Sequence, residues 1–265
     1  MQLTHHLELV SDNIWNRLDN ANRFGINQGE ETLTDNLLLY LASQNLPSIH
    51  IVQTPKNQEA IKGTDWEWWI GSKKRGFLRY AVQAKKLNLK TNTYSSLKQK
   101  VGNQSSAPYQ HDVLEKYAQL NNAIPLYAFY NYLQPMNQPS SWNCPLSFDL
   151  SQMGCTVTPL KNVKRAISKR GYRTFDKIHQ FPETIPLRCL AKCPHINSQI
   201  NSIQPQNTVH LSKFGLEAKI YDDPWGWISE MGHLSSCRQM PSDFYNHEQG
   251  LYPKHILYID IDSRA

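Results

Sequence analysis

The sequence lacks the features that define several familiar classes of protein. No apolar run reaches the ~18 residues of a membrane-spanning helix, and the first residues include acids instead of a basic-then-apolar secretion signal. We therefore expect a cytoplasmic protein without a membrane partner. No GxSxG motif, P-loop or dinucleotide-binding glycine motif occurs. Without these motifs, the sequence gives no support for a serine hydrolase, an NTPase or a nicotinamide-dependent enzyme.

Cysteine is also sparse, with five residues in a chain of 265. An odd number of cysteines without a secretion signal favours free thiols over disulfides. Cys189, Cys193 and His195 lie close together in the sequence, and Cys237 follows later. This spacing lacks the second tight pair of a structural zinc site, so buried or surface thiols are favoured over structural Zn²⁺.

Acidic residues are absent from one long stretch of the chain. Between Trp68 and His111 there is no Asp or Glu, and nine lysine and arginine residues fall there. Such a stretch suits a phosphate backbone, although a solvated basic face would be the simpler interpretation if no catalytic motif lay nearby. The candidate nucleic-acid contacts are Lys73, Lys74, Arg75, Lys86, Lys90, Lys98 and Lys100.

The residues from Gly63 to Lys86 have the pattern of a β-hairpin. Two strand-like runs, Asp65–Ile70 and Leu78–Lys85, flank a polar and basic turn that holds Gly71 and Gly76. Glycine at both ends of a polar connector is a hairpin signal. The residues around this hairpin contain the strongest candidates for a functional site.

Alternation along the two predicted strands sorts their side chains by face. Asp65, Glu67 and Trp69 share one face of the first strand, and Gln83 and Lys85 share a face of the second. Pairing of the strands then brings Asp65, Gln83 and Lys85 into one polar patch. A carboxylate and an amide oxygen suit a hard cation such as Mg²⁺. A nearby lysine can orient water or offset charge on a reacting phosphate.

A helix is predicted over Glu30–Ala42, upstream of the hairpin. Its apolar stripe consists of Leu33, Leu37, Leu38 and Leu41. Glu30 and Glu31 lie in its first turn, where negative charge interacts favourably with the helix dipole.

These residues, in this order, resemble the PD-(D/E)XK nuclease superfamily, in the Gln-x-Lys variant of Mrr-like restriction nucleases. The strings EETLTDNLLLYL, GTDWEWWIG and VQAKKL also resemble an uncharacterised bacterial family associated with antiphage defence. The resemblance covers about residues 28–132. It implies an α/β fold with a restriction-endonuclease-like core, in which helices flank a central mixed β-sheet, and Mg²⁺-dependent cleavage of DNA, with double-stranded DNA favoured.

The resemblance also implies a role for each residue of the hairpin motif. Asp65 would bind Mg²⁺, or Mn²⁺ in its place. The amide oxygen of Gln83 and the backbone carbonyl of Ala84 would be further ligands, and Lys85 would position the attacking water.

An acidic residue of the first helix would complete such a site. The helical phase of Glu31 fits the family pattern better than that of Glu30, so the resemblance implies Glu31 as the metal ligand, with Glu30 in an auxiliary role. Glu67 is either an auxiliary metal carboxylate or a charge that faces Arg79.

Further elements are predicted along the rest of the chain. Helices are expected over Leu7–Arg23, Tyr109–Asn121 and Leu160–Lys169, and strands over Ile49–Thr54, Ile124–Tyr132, Gly154–Thr158 and His255–Asp262. The last of these strands is expected at an edge of the central sheet.

Residues 1–265 are expected to form one elaborated nuclease domain, with its core at about 24–135 and a C-terminal elaboration at about 136–265. The alternative is a separate module that begins near residue 136. A homodimer or a regulatory protein is a further expected partner. The alternative function is a nuclease-like fold without activity that binds nucleic acid or a protein.

Overall fold

The computed structural model describes residues 2–53, 64–102, 104–134, 139–192, 208–226, 228 and 253–261. The helices are α1 (Gln2–Phe24), α2 (Glu30–Ser43), α3 (Gln110–Leu120), α4 (Leu160–Ser168), α5 (Phe175–His179) and α6 (Cys189–Lys192). The strands are β1 (Ile49–Gln53), β2 (Trp66–Ser72), β3 (Gly76–Lys86), β4 (Ile124–Tyr130), β5 (Cys155–Pro159), β6 (Ile185–Pro186), β7 (Thr208–Leu211), β8 (Leu216–Lys219) and β9 (His255–Asp260). Short 3₁₀ helices span Ser95–Lys98 and Leu150–Gly154.

Seven of the strands form one mixed sheet in the order β1-β9-β2-β3-β4-β5-β6. The pairs β9–β2 and β3–β4 are parallel, and the other neighbouring strands are antiparallel. Strands β7 and β8 form a separate two-stranded ribbon. The predicted α/β class, with a central mixed sheet flanked by helices, is confirmed.

The two faces of the sheet are covered by different helices. Trp66 and Trp68 pack into the apolar cluster that contains α1 and α2, as the strand alternation predicts. Trp69 points to the opposite face, where it packs with residues of α3, α4 and α5. All three tryptophans are almost completely buried, so they belong to the core on either side of the sheet.

Strand β9 is not the edge strand that its sequence suggests. It lies between β1 and β2 and pairs with both of them. All six of its residues are buried, which is the pattern of a strand covered on both faces. Strands from both sides of residue 136 therefore contribute to the same sheet.

The predicted hairpin is present, with β2 and β3 in register from Trp66 opposite Val82 to Ser72 opposite Gly76. Gly76 has a φ of +79°, and a Cβ atom there would overlap the side chain of Ile220. Only glycine satisfies both conditions without strain. The tight turn fixes which residues of the two strands lie opposite each other.

No helix among the described residues combines the length and the apolar character that a membrane span requires.

A buried ion pair on β2 and β3 determines the role of Glu67. The Nε of Arg79 donates to Oε1 of Glu67 at 2.7 Å, and both side chains are at most 1% exposed. The hydroxyl of Tyr117 donates to the same oxygen at 2.7 Å, and the Nε1 of Trp69 donates to Oε2 at 3.3 Å. Of the two roles considered for Glu67, the charge facing Arg79 is therefore observed, and both carboxylate oxygens are already used by protein donors.

We predict that Glu67→Gln lowers the free energy of unfolding by about 3–5 kcal/mol, because it leaves the Arg79 guanidinium buried without a counter-charge. Urea unfolding of the two proteins measures the difference. Glu67→Gln combined with Arg79→Met should recover much of the loss, because that pair buries no charge. A loss below about 1 kcal/mol in the single variant would contradict the structural role of the pair.

Candidate metal and nucleic-acid site

The site is built at the open end of the hairpin, where Asp65 immediately precedes β2. Its backbone N–H donates to the carbonyl of Val82 at 2.9 Å. Its Oδ2 accepts hydrogen bonds from Nε2 of Gln83 at 2.6 Å and from the backbone N–H of Ala84 at 2.7 Å. Asp65 and Gln83 are thus in direct contact, in agreement with the strand alternation.

The surroundings of Asp65 oppose its ionisation. Burial raises its pKa to about 6, while the Ala84 hydrogen bond and the charge of Lys85 act in the opposite direction. The negative charges of Glu30 and Glu31 add to the increase. A buried carboxyl group with a raised pKa marks Asp65 as a candidate functional residue.

Lys85 is anchored by the first residue of α2. Its side chain is 1% exposed, and its Nζ lies 3.2 Å from Oε2 of Glu30. The other oxygen of Glu30 accepts from the backbone N–H of Lys86 and from the Oγ of Ser96, each at 3.0 Å. Nζ of Lys85 also lies 3.5 Å from Oε1 of Gln99. Glu30 therefore fixes both the position of Lys85 and the end of β3.

The structure gives this position to Glu30 and not to Glu31, which is exposed. The reason is the phase of the helix. Leu33, Thr34 and Leu37, which follow Glu30 by three, four and seven residues, are all buried, so Glu30 lies on the packed face. Glu31 approaches Asp65 closely enough to affect its pKa, but the described residues include no hydrogen-bond partner for its side chain.

The donor atoms at this end of the hairpin fit a hard cation. The amide nitrogen of Gln83 faces Asp65, so its Oε1 points the other way. That oxygen is buried and has no hydrogen-bond partner among the described residues. The Asp65 carboxylate and the Ala84 carbonyl are oxygen donors of the kind that Mg²⁺ and Mn²⁺ prefer. Oε1 of Gln83 would join them only after a half-turn of the amide, because Nε2 is the end that lies 2.6 Å from Asp65 and 3.5 Å from the Ala84 carbonyl. Within the described ranges, no group of three or more His, Cys, Asp or Glu residues could hold a metal.

The zinc alternative involves residues that the structure covers only in part. Cys189 contacts Cys144, with their sulfurs 3.2 Å apart and both side chains buried. The hydrogen bond from Cys189 and the nearby guanidinium of Arg188 lower the pKa of Cys144 to about 6, against the effect of burial. The remaining residues of the sequence pattern lie outside the described residues: Cys193, His195 and Cys237.

Two of the predicted nucleic-acid contacts line an open cavity beside the site. Lys86 and Lys90 border this cavity of about 670 Å³, together with Glu30, Ser95 and Ser96. The Nζ of Lys86 donates to Oδ1 of Asn27 at 2.7 Å and to the carbonyl of Gln28. Burial lowers the pKa of Lys86. Lys86 therefore connects the hairpin to the loop between α1 and α2 as well as lining the cavity.

Two more of the predicted contacts follow further along the basic stretch. Lys98 is exposed at the end of its 3₁₀ helix. Lys100 lies over the ring of Tyr109, 5.4 Å from its centroid, and donates to the carbonyl of Ser105. Lys98 thus presents a solvent-accessible charge, whereas Lys100 makes contacts within the protein.

Lys73, Lys74 and Arg75 do not join this site. They occupy the turn of the hairpin, roughly 20 Å from its open end at ~3.3 Å per residue. Lys73 forms an ion pair with Asp223 at 3.3 Å. Sequence proximity was misleading because a hairpin separates its turn from its open end by the whole length of its strands.

Three contributors to the site had no prior sequence signal. Ser96 and Gln99 reach Glu30 and Lys85 from the loop between β3 and α3. Tyr127 on β4 is the register partner of Gln83. Its position next to Gln83 depends on the pairing of β3 with β4, which alternation within one strand does not reveal.

We predict that Asp65 makes the metal-free protein less stable as the pH rises. The pKa of its carboxyl group is 3.8 in the unfolded chain and about 6 in the folded chain. The folded state binds a proton at Asp65 more tightly than the unfolded state does. The contribution of Asp65 to the free energy of unfolding is therefore most favourable below pH ~4 and falls as the pH rises through ~6. Relative to Asp65→Asn, the wild type should lose about 1–3 kcal/mol between pH ~4 and ~7.

Urea unfolding of both proteins in EDTA, at steps across this pH range, measures the loss. Parallel stability curves for the two proteins would contradict the raised pKa of Asp65.

Comparison with known proteins identifies a family. A family model described as a family of unknown function, DUF6615, matches residues 3–249. A search of curated proteins and a search of solved structures each gave no match. Because the match spans well over half of the sequence, the chain belongs to the DUF6615 family.

Proposed function

We propose that this chain is a metal-dependent endonuclease that hydrolyses phosphodiester bonds of DNA, with a core of the restriction-endonuclease type. One observation carries the proposal: Asp65 contacts Gln83 and the backbone of Ala84 at the open end of one hairpin, and the helix carboxylate of Glu30 holds Lys85, the next residue of β3. A carboxylate, an amide and a lysine in this order resemble the Gln-x-Lys nuclease motif. The neighbouring cavity, lined by Glu30 and Lys86, would be the approach for a substrate.

Mg²⁺, when bound, supplies Lewis acidity toward the phosphate and toward the attacking water. Asp65 would hold it with a charged oxygen, and Gln83 and Ala84 with neutral ones. Gln83 brings no negative charge, so cation affinity is lower than in a site with two carboxylates. Cation binding is therefore expected to strengthen when a substrate phosphate supplies the missing negative charge.

Lys85 offsets charge on the reacting phosphate and orients the attacking water. Its ammonium is almost completely buried, and electrostatic interactions are stronger in such surroundings than in water. Glu30 holds this ammonium in place without consuming all of its donors, because Nζ has three N–H groups. In this scheme Glu30 is a positioning residue and not a metal ligand.

A nucleic acid is the proposed substrate because of the charge around the site. The acid-free stretch contains Gln83 and Lys85, and Lys86 and Lys90 line the adjacent cavity. Positive side chains suit the phosphates of a nucleic-acid backbone, and the preference for double-stranded DNA follows from the resemblance to nucleases.

The resemblance to nucleases of antiphage defence extends the proposal to restriction in the bacterial cytoplasm. An enzyme of this kind needs restraint toward host DNA. A regulatory protein or a homodimer would be the partner that provides it.

We predict Mg²⁺- or Mn²⁺-dependent cleavage by the purified protein. Plasmid, linear duplex, single-stranded DNA and RNA are incubated over a range of both cations and resolved on gels. Asp65→Asn and Lys85→Ala should each lower the rate at least about 100-fold. Asp35→Asn removes an exposed carboxylate of α2 and should leave the rate unchanged.

Full cation-dependent cleavage by Asp65→Asn and Lys85→Ala would overturn the assignment. Retention of DNA on a filter without cleavage by the wild type would favour the binding protein without activity.

We further predict that the two neighbouring acids of α2 behave differently. Glu30→Gln weakens the hold on Lys85 and should lower the cleavage rate by about 10–100-fold. Glu31→Gln alters an exposed side chain and should change it little. Initial rates at saturating Mg²⁺ provide the comparison, and the opposite ranking would restore Glu31 as the functional acid.

A further inference from the structure

Two cysteine side chains that are distant in the sequence are in contact beside the loop that joins β4 to β5. Cys144 lies in this loop, and Cys189 is the first residue of α6. Their sulfur atoms are 3.2 Å apart, and the thiol of Cys189 donates to the sulfur of Cys144. A disulfide holds its sulfurs about 2 Å apart, so a bond between these two needs only a small further approach.

The surroundings of Cys144 favour its thiolate form. The hydrogen bond from Cys189 lowers the pKa of Cys144 to about 6, and the guanidinium of Arg188 acts in the same direction, against burial. Nη2 of Arg188 lies 3.7 Å from the Cys144 sulfur. Nη1 of the same guanidinium donates to Oε1 of Glu8 at 3.0 Å, which fixes the cation beside the sulfur. The thiolate is the form of cysteine that attacks oxidants.

Exposure distinguishes Cys144 from the other two thiols that the structure describes. Its side chain is 7% exposed, and the neighbouring Pro145 and Ser147 are exposed residues of the same loop. Cys189 is 1% exposed and Cys155 is 0% exposed. Burial raises the pKa of Cys155, so that thiol stays protonated and unreactive. A small oxidant in the solvent therefore meets Cys144 first, with Cys189 in contact with it.

We propose that Cys144 and Cys189 form a thiol oxidation site, at which hydrogen peroxide converts the two thiols into a disulfide. The Cys144 thiolate attacks one oxygen of the peroxide. An S–O bond forms, the O–O bond breaks, and the departing hydroxide takes a proton from solvent to become water. Cys144 is then a sulfenic acid. This inference is independent of the cation site.

The second step uses the contact between the two sulfurs. The sulfur of Cys189 attacks that of the Cys144 sulfenic acid, an S–S bond forms and the S–O bond breaks. The hydroxyl group leaves as water with the thiol proton of Cys189. The two sulfurs together give up two electrons, and the peroxide accepts them. A dithiol reductant reverses the change by thiol–disulfide exchange.

The experiment treats the folded full chain with hydrogen peroxide and follows its thiols by intact mass and peptide mapping. The wild type should lose the mass of two hydrogen atoms and yield two peptides joined through Cys144 and Cys189. Dithiothreitol should separate them. The crosslink joins residues 45 positions apart and restricts the unfolded chain, so the oxidised protein should melt at a higher temperature than the reduced protein.

Three variants assign the roles of the thiols. Cys189→Ser removes the thiol that attacks the sulfenic acid, so a dimedone probe should label Cys144 after peroxide treatment. Cys144→Ser should form no disulfide and lose thiols at least about 10-fold more slowly. Cys155→Ala is the matched control and should react as the wild type does. The labelling of Cys144 in Cys189→Ser keeps the test decisive if Cys144→Ser does not fold.

Three results would overturn the inference. The first is a peroxide-induced disulfide of Cys189 with Cys193 or Cys237, or loss of the Cys144–Cys189 crosslink when Cys193 and Cys237 are replaced by serine. The second is oxidation of Cys155 as fast as that of Cys144. The third is a zinc ion that copurifies with the wild type, protects its thiols from peroxide and is lost in Cys144→Ser, which would make these thiols metal ligands.

Discussion

The contact of the Asp65 carboxylate with Gln83 and the Ala84 backbone is the interaction on which the site depends. It forms where β2 has not yet begun, so a side chain takes the place of a strand partner for β3. Burial makes the charged form of this carboxylate costly. A buried acid with a raised pKa close to a buried lysine is a candidate functional site.

The central sheet explains why this arrangement is rigid. β2 and β3 are both interior strands, with β9 and β4 as their outer neighbours. The Glu67–Arg79 pair and its tyrosine and tryptophan partners stabilise the middle of the hairpin, between the site and the turn. Helix α2 supplies Glu30, which contacts Lys85 and the backbone of Lys86 at the end of β3. Residues from distant parts of the sequence are thereby held together at the hairpin end.

Local pattern was sufficient to predict the hairpin, the faces of its tryptophans and the meeting of Asp65 with Gln83, because alternation and a tight glycine turn determine them. Features that depend on packing between distant segments were not predictable. Glu30 lies on the packed face of α2 and Glu31 on the exposed face, and the sequence alone does not show which face packs. Strand β9 lies in the interior because β1 and β2 both pair with it, and Cys144 meets Cys189 across 45 residues.

The most direct test of a cation site at the hairpin end is an anomalous difference map from crystals grown with Mn²⁺ and a short DNA duplex. The account predicts a peak about 2.1 Å from an Asp65 carboxylate oxygen, with Oε1 of Gln83 turned toward it. A peak elsewhere, or an Asp65–Gln83 hydrogen bond that persists with the duplex and Mn²⁺ present, would contradict the account.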